Sequence, residues 1–299
     1  VNNMKLWIVV NHFLRTPKFR ELEERFSDAA SYFGIEYQIV TNSECIIGCE
    51  DNRITAGIIP NGSDPVLFWD KDIRLGKALI KCGHRLYNSP KAIALCDDKT
   101  MSAIAIAGCK IRIPKTYISP MTYSNIGYTD LDFLKNISCK LDFPMIVKEA
   151  YGSFGQQVYL CSNYEELVDI VSSINSEAIL FQEYIKSSHG RDVRLQVVGD
   201  KVTTAMYRYS VSDDFRANIT NGGKMLPYTA NDKEKEFALS IAKKLGLDFC
   251  GVDMLFGENK EPVLCEVNSN AHFVNIDNCT GSDTAKDIIS YIISNHTGW

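Results

Sequence analysis

The sequence lacks both a long hydrophobic segment and any block of like charge. No apolar run approaches the roughly 18 residues that a membrane-spanning helix requires. The 32 basic and 37 acidic residues are spread along the chain and give a net charge of −5 at pH 7, whereas a nucleic-acid-binding protein typically carries a clustered basic face. We therefore expect no membrane partner and no nucleic-acid partner.

Several common nucleotide-binding and catalytic motifs are also missing. The chain has no G-x-G-x-x-G fingerprint for a dinucleotide and no G-K-[ST] of a P-loop. It shows no evident Ser–His–Asp or Cys–His arrangement of a nucleophilic enzyme. Because residues 1–10 lack the apolar core and the cleavage site of a signal peptide, we expect a cytoplasmic protein.

Cysteine, in contrast, is abundant, with ten residues in a chain of 299. Four of them fall in predicted strands or helices: Cys109, Cys161, Cys250 and Cys265. In a cytoplasmic protein such cysteines are expected to be small core residues rather than disulfide partners. Cys45 and Cys49 form the one close pair, and no second ligand pair lies near them in the sequence, so we expect no metal site there.

Residues 1–88 alternate between strands and helices. The predicted elements are an opening strand, a helix at 17–33, strands at 35–40, 56–60 and 65–69, and a helix at 73–82. The two helices end at Gly34 and Gly83, and glycine is a typical helix stop. Because this βαβ order favours an open parallel sheet, we predict an N-terminal α/β domain over residues 1–88.

Asn88-Ser89-Pro90 interrupts this alternation and marks a predicted domain boundary. After it come a helical stretch at 91–107, strands at 145–149, 157–161 and 179–185, a hairpin that pairs 192–198 with 202–209, and helices at 233–245 and 284–294. Hairpins outnumber βαβ units here, so the remainder of the chain is predicted to be α+β.

A second hairpin, at 250–268, carries three oxygen-bearing side chains. Folding it between residues 259 and 260 places Asp253 opposite Glu266, and Asn268 shares the face of Glu266 because it is two residues further on. Like charges that face each other across a strand pair destabilise it, which indicates a bound cation. Oxygen ligands favour magnesium, or manganese as the alternative, over zinc. The simpler interpretation is an exposed sheet face with two unrelated acids.

Lys148 ends a predicted strand, and a loop that contains Gly152 and Gly155 follows at once. Glycines let backbone N–H groups approach phosphate oxygens, and an ammonium group neutralises their charge. A phosphate site is therefore one interpretation. An ordinary hairpin with a solvated lysine is the other.

Four arginines lie close together in the C-terminal part of the sequence. Arg191, Arg194 and Arg208 are on the predicted hairpin, and Arg216 follows in a loop with Asn218. Beside phosphates and a metal ion, such arginines stabilise the charge that develops during group transfer. The alternative is a set of surface arginines.

From Asn88 to its C-terminus the chain resembles the RimK-like branch of the ATP-grasp superfamily. The resemblance rests on the order and spacing of Asn88-Ser89-Pro90, Asp98-Lys99, Val147-Lys148 with Gly152-Ser153-x-Gly155, Gln182-Glu183-Tyr184-Ile185, Gly190-Arg191-Asp192-Val193-Arg194, Phe215-Arg216-Ala217-Asn218 with Gly222-Gly223, Gly251-Val252-Asp253 and Glu266-Val267-Asn268. It implies an ATP-grasp fold of two α+β lobes, at 89–184 and 185–299, after the N-terminal α/β domain.

The resemblance also implies roles for individual residues. The residues that would hold ATP are Lys99, Lys148 and Ser153 at the phosphates, Gln182, Glu183, Tyr184 and Ile185 around the adenine, and Asp192 near the ribose. Those that would hold the phosphoryl group during transfer are Arg208, Arg216 and Asn218. Magnesium would be bound by Asp253, Glu266 and Asn268, the same side chains that the hairpin argument singles out.

Members of this family join a carboxylate to an amine through an acyl phosphate. The resemblance therefore implies an ATP- and magnesium-dependent ligase that acts on an amino acid or a peptide, with glutamate as one candidate for the added group. A protein tail, a D-amino acid and a cofactor precursor are alternative substrates, and self-association into a homo-oligomer is a further expectation. The rival interpretation is a non-catalytic ATP-binding module.

Two departures from the family pattern bear on the site. The chain has Gln156-Gln157 where a glycine is common in the phosphate loop, so one backbone contact to phosphate is in doubt. After Asn268, relatives often carry a short stretch with proline or glycine, whereas residues 269–275 of this chain contain neither. That segment lies beside the expected acceptor site, so His272 is either a substrate contact or a structural histidine.

Overall fold

A computed structural model describes residues 4–152, 155–174, 177–217 and 222–296. The N-terminal elements are β1 (Lys5–Val10), α1 (Pro17–Tyr32), β2 (Glu36–Thr41), β3 (Ile47–Glu50), β4 (Arg53–Ala56), β5 (Pro65–Trp69), α2 (Ile73–Lys81) and β6 (Arg85–Tyr87). The central elements are α3 (Pro90–Asp97), α4 (Lys99–Ile106), β7 (Thr116–Ile118), α5 (Phe133–Ser138), β8 (Met145–Glu149), β9 (Val158–Cys161), α6 (Tyr164–Ser173) and β10 (Ile179–Glu183). The C-terminal elements are β11 (Arg191–Val198), β12 (Lys201–Tyr209), β13 (Lys224–Pro227), α7 (Asp232–Leu245), β14 (Phe249–Phe256), β15 (Pro262–Asn268), α8 (Val274–Thr280) and α9 (Thr284–Asn295).

Four of the N-terminal strands form the open parallel sheet that the βαβ order predicts, while β3 and β4 pair separately as an antiparallel hairpin. The order of the four is β2-β1-β5-β6, and every pairing among them is parallel. All five residues of β5 are buried, as expected for a strand that is covered on both faces. The following helix α2 begins after Asp72, whose carboxylate accepts hydrogen bonds from the backbone N–H groups of Arg74 and Leu75. The α/β prediction for this part of the chain is confirmed.

Two local predictions differ from the structure. The segment 56–60 was expected to be a strand, but β4 ends at Ala56 and a turn follows, because Gly57 adopts a positive φ of 58° that ends the extended backbone. The helical stretch at 91–107 is two helices, α3 and α4. Asp98 separates them, since its carboxylate caps α4 by accepting from the backbone N–H groups of Thr100 and Met101.

Two antiparallel sheets make up the rest of the fold and provide most of the site. The central sheet has the order β7-β10-β8-β9, and the C-terminal sheet has the order β13-β12-β11-β14-β15. Within the second sheet, β14 and β15 pair so that Asp253 lies opposite Glu266. The predicted register of this hairpin is therefore confirmed, although a bulge follows directly after Asp253.

The hydrophobic cores show how these sheets are held. The central sheet packs on α5 and α6, and the C-terminal sheet packs one face on α7. A third core crosses the predicted boundary at residue 88, because Phe26 of α1 packs with Phe249, Phe273 and Ile288 of the C-terminal part. Asn88 is fully buried and reinforces the contact, since its side-chain NH₂ donates to the carbonyls of Phe249 and Ser269, each at 2.9 Å.

Among the described residues, no helix is both long and apolar enough to cross a membrane.

Candidate active site

A cavity of about 590 Å³ is lined by residues from both antiparallel sheets and from the N-terminal unit. The predicted site residues that line it are Lys148, Gln182, Glu183, Tyr184, Ile185, Asp192, Arg208, Arg216, Asp253, Glu266 and Asn268. Lys99 lines a smaller cavity of about 70 Å³, which shares Lys148, Gln182, Glu266 and Asn268 with the larger one. Ser153 and Asn218 lie outside the described residues. The structure therefore brings the described candidates together around two adjoining cavities.

The C-terminal sheet contributes a buried network of two arginines and two aspartates. Arg208 donates two hydrogen bonds to Asp192, at 2.7 and 2.8 Å, and approaches Asp253 at 3.0 Å. Arg194 donates two hydrogen bonds to Asp253, at 2.7 and 2.6 Å. The formal charges of the four side chains cancel, and paired, hydrogen-bonded charges are the arrangement that makes such burial tolerable.

The protonation states in this network follow from the same contacts. Burial acts to raise the pKa of Asp253, but the guanidinium groups of Arg194 and Arg208 outweigh it and hold that pKa at about 2. For Asp192, burial dominates and its pKa is raised despite Arg208. The pKa of Arg208 is raised because the two carboxylates outweigh its burial. Asp253 is consequently a carboxylate at neutral pH.

The metal prediction can be tested against the oxygen atoms that remain available. Both oxygens of Asp253 accept hydrogen bonds from arginine. Asn268 donates its NH₂ to Glu266 Oε1 at 2.9 Å, which leaves Glu266 Oε2 and Asn268 Oδ1 as an adjacent pair of hard oxygen ligands. Such a pair fits magnesium, which typically binds through one or two carboxylates together with substrate phosphates. Asp253 would join this set only by exchanging a bond to arginine.

Lys99 and Lys148 line the smaller cavity together with Gly152 of the loop that connects β8 and β9, the predicted phosphate loop. Lys148 is buried on β8, and the Lys99 ammonium donates to the carbonyl of Gly152 at 3.1 Å. Burial lowers the pKa of Lys99, Glu266 raises it and Lys148 lowers it further. Two cations around one small cavity favour an anionic ligand such as phosphate.

Gln157, which stands near the position where the family commonly has a glycine, packs against Gly152 in this loop. Gly152 has a φ of 135°, and a Cβ built on it would lie 2.3 Å from the side-chain oxygen of Gln157. The glutamine side chain therefore occupies the space beside Gly152, and the loop requires glycine at that position.

The predicted adenine segment lies where β10 ends. Gln182 donates to the Thr116 hydroxyl at 2.9 Å, while the Glu183 carboxylate accepts from the backbone N–H of Lys115 at 3.1 Å. Tyr184 and Ile185 follow the last residue of the strand and also line the larger cavity. Backbone that has left the sheet in this way can offer hydrogen-bonding groups to a base.

Arg216 connects the C-terminal lobe to the phosphate loop. Its guanidinium donates to Gly155 O at 2.9 Å and to both oxygens of Asp214, each at 3.0 Å. The hydrogen bonds from Arg216 lower the pKa of Asp214. The arginine is therefore fixed at the cavity by the carboxylate of Asp214, which no sequence motif singled out.

Sequence reasoning missed the part of the cavity wall that the N-terminal unit provides. That wall includes Asn11, Lys18 and Asp70. Asn270 and His272 of the segment after β15 also line the cavity, and for His272 a substrate contact was already one of the expectations from the sequence. One signal was present, because Asp70 follows a buried parallel strand directly and ligands bind at the carboxyl ends of such strands. The role of Arg194 was also left unassigned.

Comparison with known proteins agrees with this architecture. A family model described as the RimK-like ATP-grasp domain matches residues 96–292. Beta-citrylglutamate synthase B of Danio rerio is 34% identical over 75% of this chain and 54% of that protein, so the chain spans about half of its length. A probable alpha-L-glutamate ligase 2 of Pseudoalteromonas atlantica is 30% identical over 91% of both proteins. The ATP-grasp ligase PsnB, solved with a phosphomimetic precursor variant, Mg and ADP, shares the fold with a TM-score of 0.70 at 14% identity, over 98% of this chain and 99% of PsnB.

Proposed function

The chain belongs to the RimK-like ATP-grasp family, and on that premise we propose that it is an ATP- and magnesium-dependent carboxylate–amine ligase. The observation that supports this most directly is the content of the two adjoining cavities. Lys99, Lys148 and Arg216 surround the phosphate loop, and Glu266 with Asn268 offers two oxygen ligands beside them. A magnesium-bound triphosphate would interact with both groups of residues, its phosphate oxygens with the three cations and its metal ion with the two oxygen ligands.

The proposed reaction has two steps. A substrate carboxylate oxygen attacks the γ-phosphorus of ATP, the bond to the bridging oxygen breaks, and ADP leaves. The amine, after its ammonium form has lost one proton, then attacks the acyl carbon, phosphate leaves with the bonding electrons, and the nitrogen loses a second proton to solvent or to the departing phosphate as the amide forms. The net products are an amide, ADP and phosphate.

The residues of this chain would act by holding and neutralising charge. Lys99 and Lys148 would bind phosphate oxygens, and Arg208 and Arg216 would stabilise the phosphoryl group as it moves. Glu266 and Asn268 would hold magnesium, which supplies a positive charge shared with the phosphates. Asn218, outside the described residues, is proposed to act beside Arg216, and Ser153 beside Lys148.

The amine substrate is proposed to be an amino acid, with glutamate as the first to test. The names of both relatives described above contain glutamate, and PsnB was solved with a precursor, which keeps a peptide or a protein tail among the candidates. Manganese is the alternative metal, and the cytoplasmic location and a homo-oligomeric state remain predictions.

The test is phosphate release from ATP and magnesium, screened against pooled amino acids, dipeptides and small carboxylic acids, with mass spectrometry on active pools. We expect release only when an acid and an amine are both present, and a product lighter by one water than their sum. ATP binding without release from any pool would contradict the ligase proposal and favour the non-catalytic module.

A further inference from the structure

Asp70 presents a buried carboxylate to the cavity and has no ion-pair partner among the described residues. It is 6% exposed and follows β5 directly. Its Oδ1 accepts from the backbone N–H groups of Lys71 and Asp72, at 2.6 and 3.2 Å, and both of its oxygens accept from Asn11, at 3.3 and 3.2 Å. The adjacent Lys71 pairs with Asp97 and not with Asp70.

Asn270 is fixed in an orientation that leaves its oxygen unused. Its NH₂ donates to the backbone carbonyls of Phe68 and Asp70, at 3.3 and 3.1 Å. Its Oδ1 is buried and has no hydrogen-bond partner among the described residues. Since a buried acceptor without a partner is unfavourable, this oxygen is suited to receive a donor from a ligand.

His272 offers a second acceptor of the same kind. Its Nε2 lies 3.1 Å from the carbonyl of Lys18 and must donate to it, which in the neutral ring places the lone pair on Nδ1. Burial lowers the pKa of His272 to about 4, which is consistent with a neutral ring. Nδ1 is buried and unpartnered within the described ranges. His272, Asn270 and Asp70 all line the same cavity.

We propose that Asp70, Asn270 and His272 form the subsite that binds the ammonium group of the amine substrate. The inference rests on the ligase proposal and deepens it. The three side chains present a negative charge and two unused acceptors, and an ammonium group supplies one positive charge and three donors. Water could satisfy the two neutral acceptors, but it would leave the carboxylate of Asp70 without a counter-charge.

The surrounding charges narrow the substrate class to an amino acid. Lys18 and Arg194 line the same cavity, and the pKa of Lys18 is lowered by burial and by Arg194. A diamine would bring a second positive charge to this region, whereas an amino acid brings a carboxylate. The subsite therefore fits the ammonium group of an amino acid whose carboxylate faces Lys18, while Arg194 stays paired with Asp253.

Using hydroxylamine as the nucleophile tests formation of the acyl phosphate independently of this subsite. Hydroxylamine traps an acyl phosphate as a hydroxamate with loss of phosphate, and it is small and neutral at pH 7, so it does not need an ammonium subsite. Asp70→Asn removes the charge and keeps an oxygen acceptor. His272→Gln places an amide nitrogen where Nε2 lies, so it retains the donor to Lys18 and loses the Nδ1 acceptor.

Wild type and both variants would be assayed with ATP, magnesium and pooled small carboxylic acids, using hydroxylamine or each of the twenty common amino acids as the nucleophile. We expect each variant to raise the KM for the amino acid at least tenfold and to keep its rate of hydroxamate formation within twofold. Asp72→Asn is the matched control, because asparagine also caps α2 well and Asp72 is not among the cavity-lining residues.

Other outcomes would overturn the inference. An unchanged amino-acid KM in both variants, or hydroxamate formation that falls together with amide formation, would remove the assigned role. Hydroxamate without any amino-acid product in the wild type would exclude the amino-acid class. Absence of hydroxamate in the wild type would instead contradict the ligase proposal itself. If Asp70→Asn fails to fold, His272→Gln alone carries the test.

Discussion

At the scale of single residues, the site is organised by charge compensation. Arg194 and Arg208 each donate two hydrogen bonds to a buried aspartate, and Arg208 also reaches the second one. Breaking a buried pair strands an uncompensated charge, so these four side chains hold one another in place. Glu266 stands outside this network and is the acid that remains available for a metal ion.

Glu266→Gln should therefore abolish turnover without unfolding the protein. The substitution keeps the shape and removes the charge that would hold magnesium, and we expect ATP-dependent phosphate release to fall by about 100-fold or more, the size of effect seen when a group that stabilises transition-state charge is removed. Glu258→Gln, at an exposed position in the turn of the same hairpin, is the control. Equal activity of the two variants would contradict the assignment of Glu266.

His272 should make stability depend on pH. Its pKa is lowered from 6.5 to about 4, chiefly by burial, so the folded protein keeps it neutral where the unfolded chain takes up a proton. The stability that it contributes is present above pH 6.5 and is lost as the pH falls toward 4. Urea unfolding between pH 7 and 4.5 should show a shallower loss for His272→Gln than for wild type, and the same slope in both proteins would contradict the burial argument.

At the scale of elements, the sequence predicted regular strands better than loops. The hairpin that contains Asp253 and Glu266 could be predicted because two apolar segments flank one polar turn, and the centre of that turn sets both pairing and register. The segment 56–60 was predicted wrongly because an apolar run resembles a strand whether or not its glycine adopts a positive φ. The orientation of Asn270 depends on carbonyls about 200 residues away, which no local pattern encodes.

The phosphate loop yields a prediction at this scale. Gly152→Ala would place a Cβ against the Gln157 side chain at a φ of 135°, so we expect the loop to shift and the KM for ATP to rise at least tenfold. Gly108→Ala is the control, since Gly108 has a φ of 80° and no atom within 4 Å of its added Cβ. Gly108→Ala shows how much a substitution at a positive φ alone changes the KM for ATP when the glycine lies away from the cavities. A normal KM for ATP in Gly152→Ala would contradict the proposed contact.

At the scale of the whole molecule, the N-terminal unit and the C-terminal lobe share one core and one side of the cavity. Phe26 packs with Phe249 and Phe273, and Asn88 is hydrogen-bonded to four backbone groups at residues 248, 249 and 269. Sequence composition indicated a boundary at residue 88, but it could not show that the two sides are packed together, because that contact joins residues far apart in the chain.

Asn88→Ala should therefore destabilise the whole protein and not one domain. It leaves buried donors and acceptors unpaired, which we expect to lower the free energy of unfolding by about 2–4 kcal/mol. Tryptophan fluorescence, measured with Trp299→Phe in both proteins so that Trp7 and Trp69 of the N-terminal unit give the signal, should give the same unfolding midpoint as far-UV circular dichroism in wild type and variant. Two separate midpoints would show that the units unfold independently.

The central claim is that a substrate carboxylate is activated by phosphoryl transfer from ATP. The most direct measurement supplies ATP, magnesium and pooled amino acids and small carboxylic acids whose carboxyl oxygens carry ¹⁸O, and then determines the mass of the phosphate released. The ligase account predicts one ¹⁸O atom in each phosphate, because the carboxylate oxygen that attacks the γ-phosphorus leaves with it. Unlabelled phosphate would indicate simple ATP hydrolysis, and label in AMP would indicate adenylation. Either result would contradict the account.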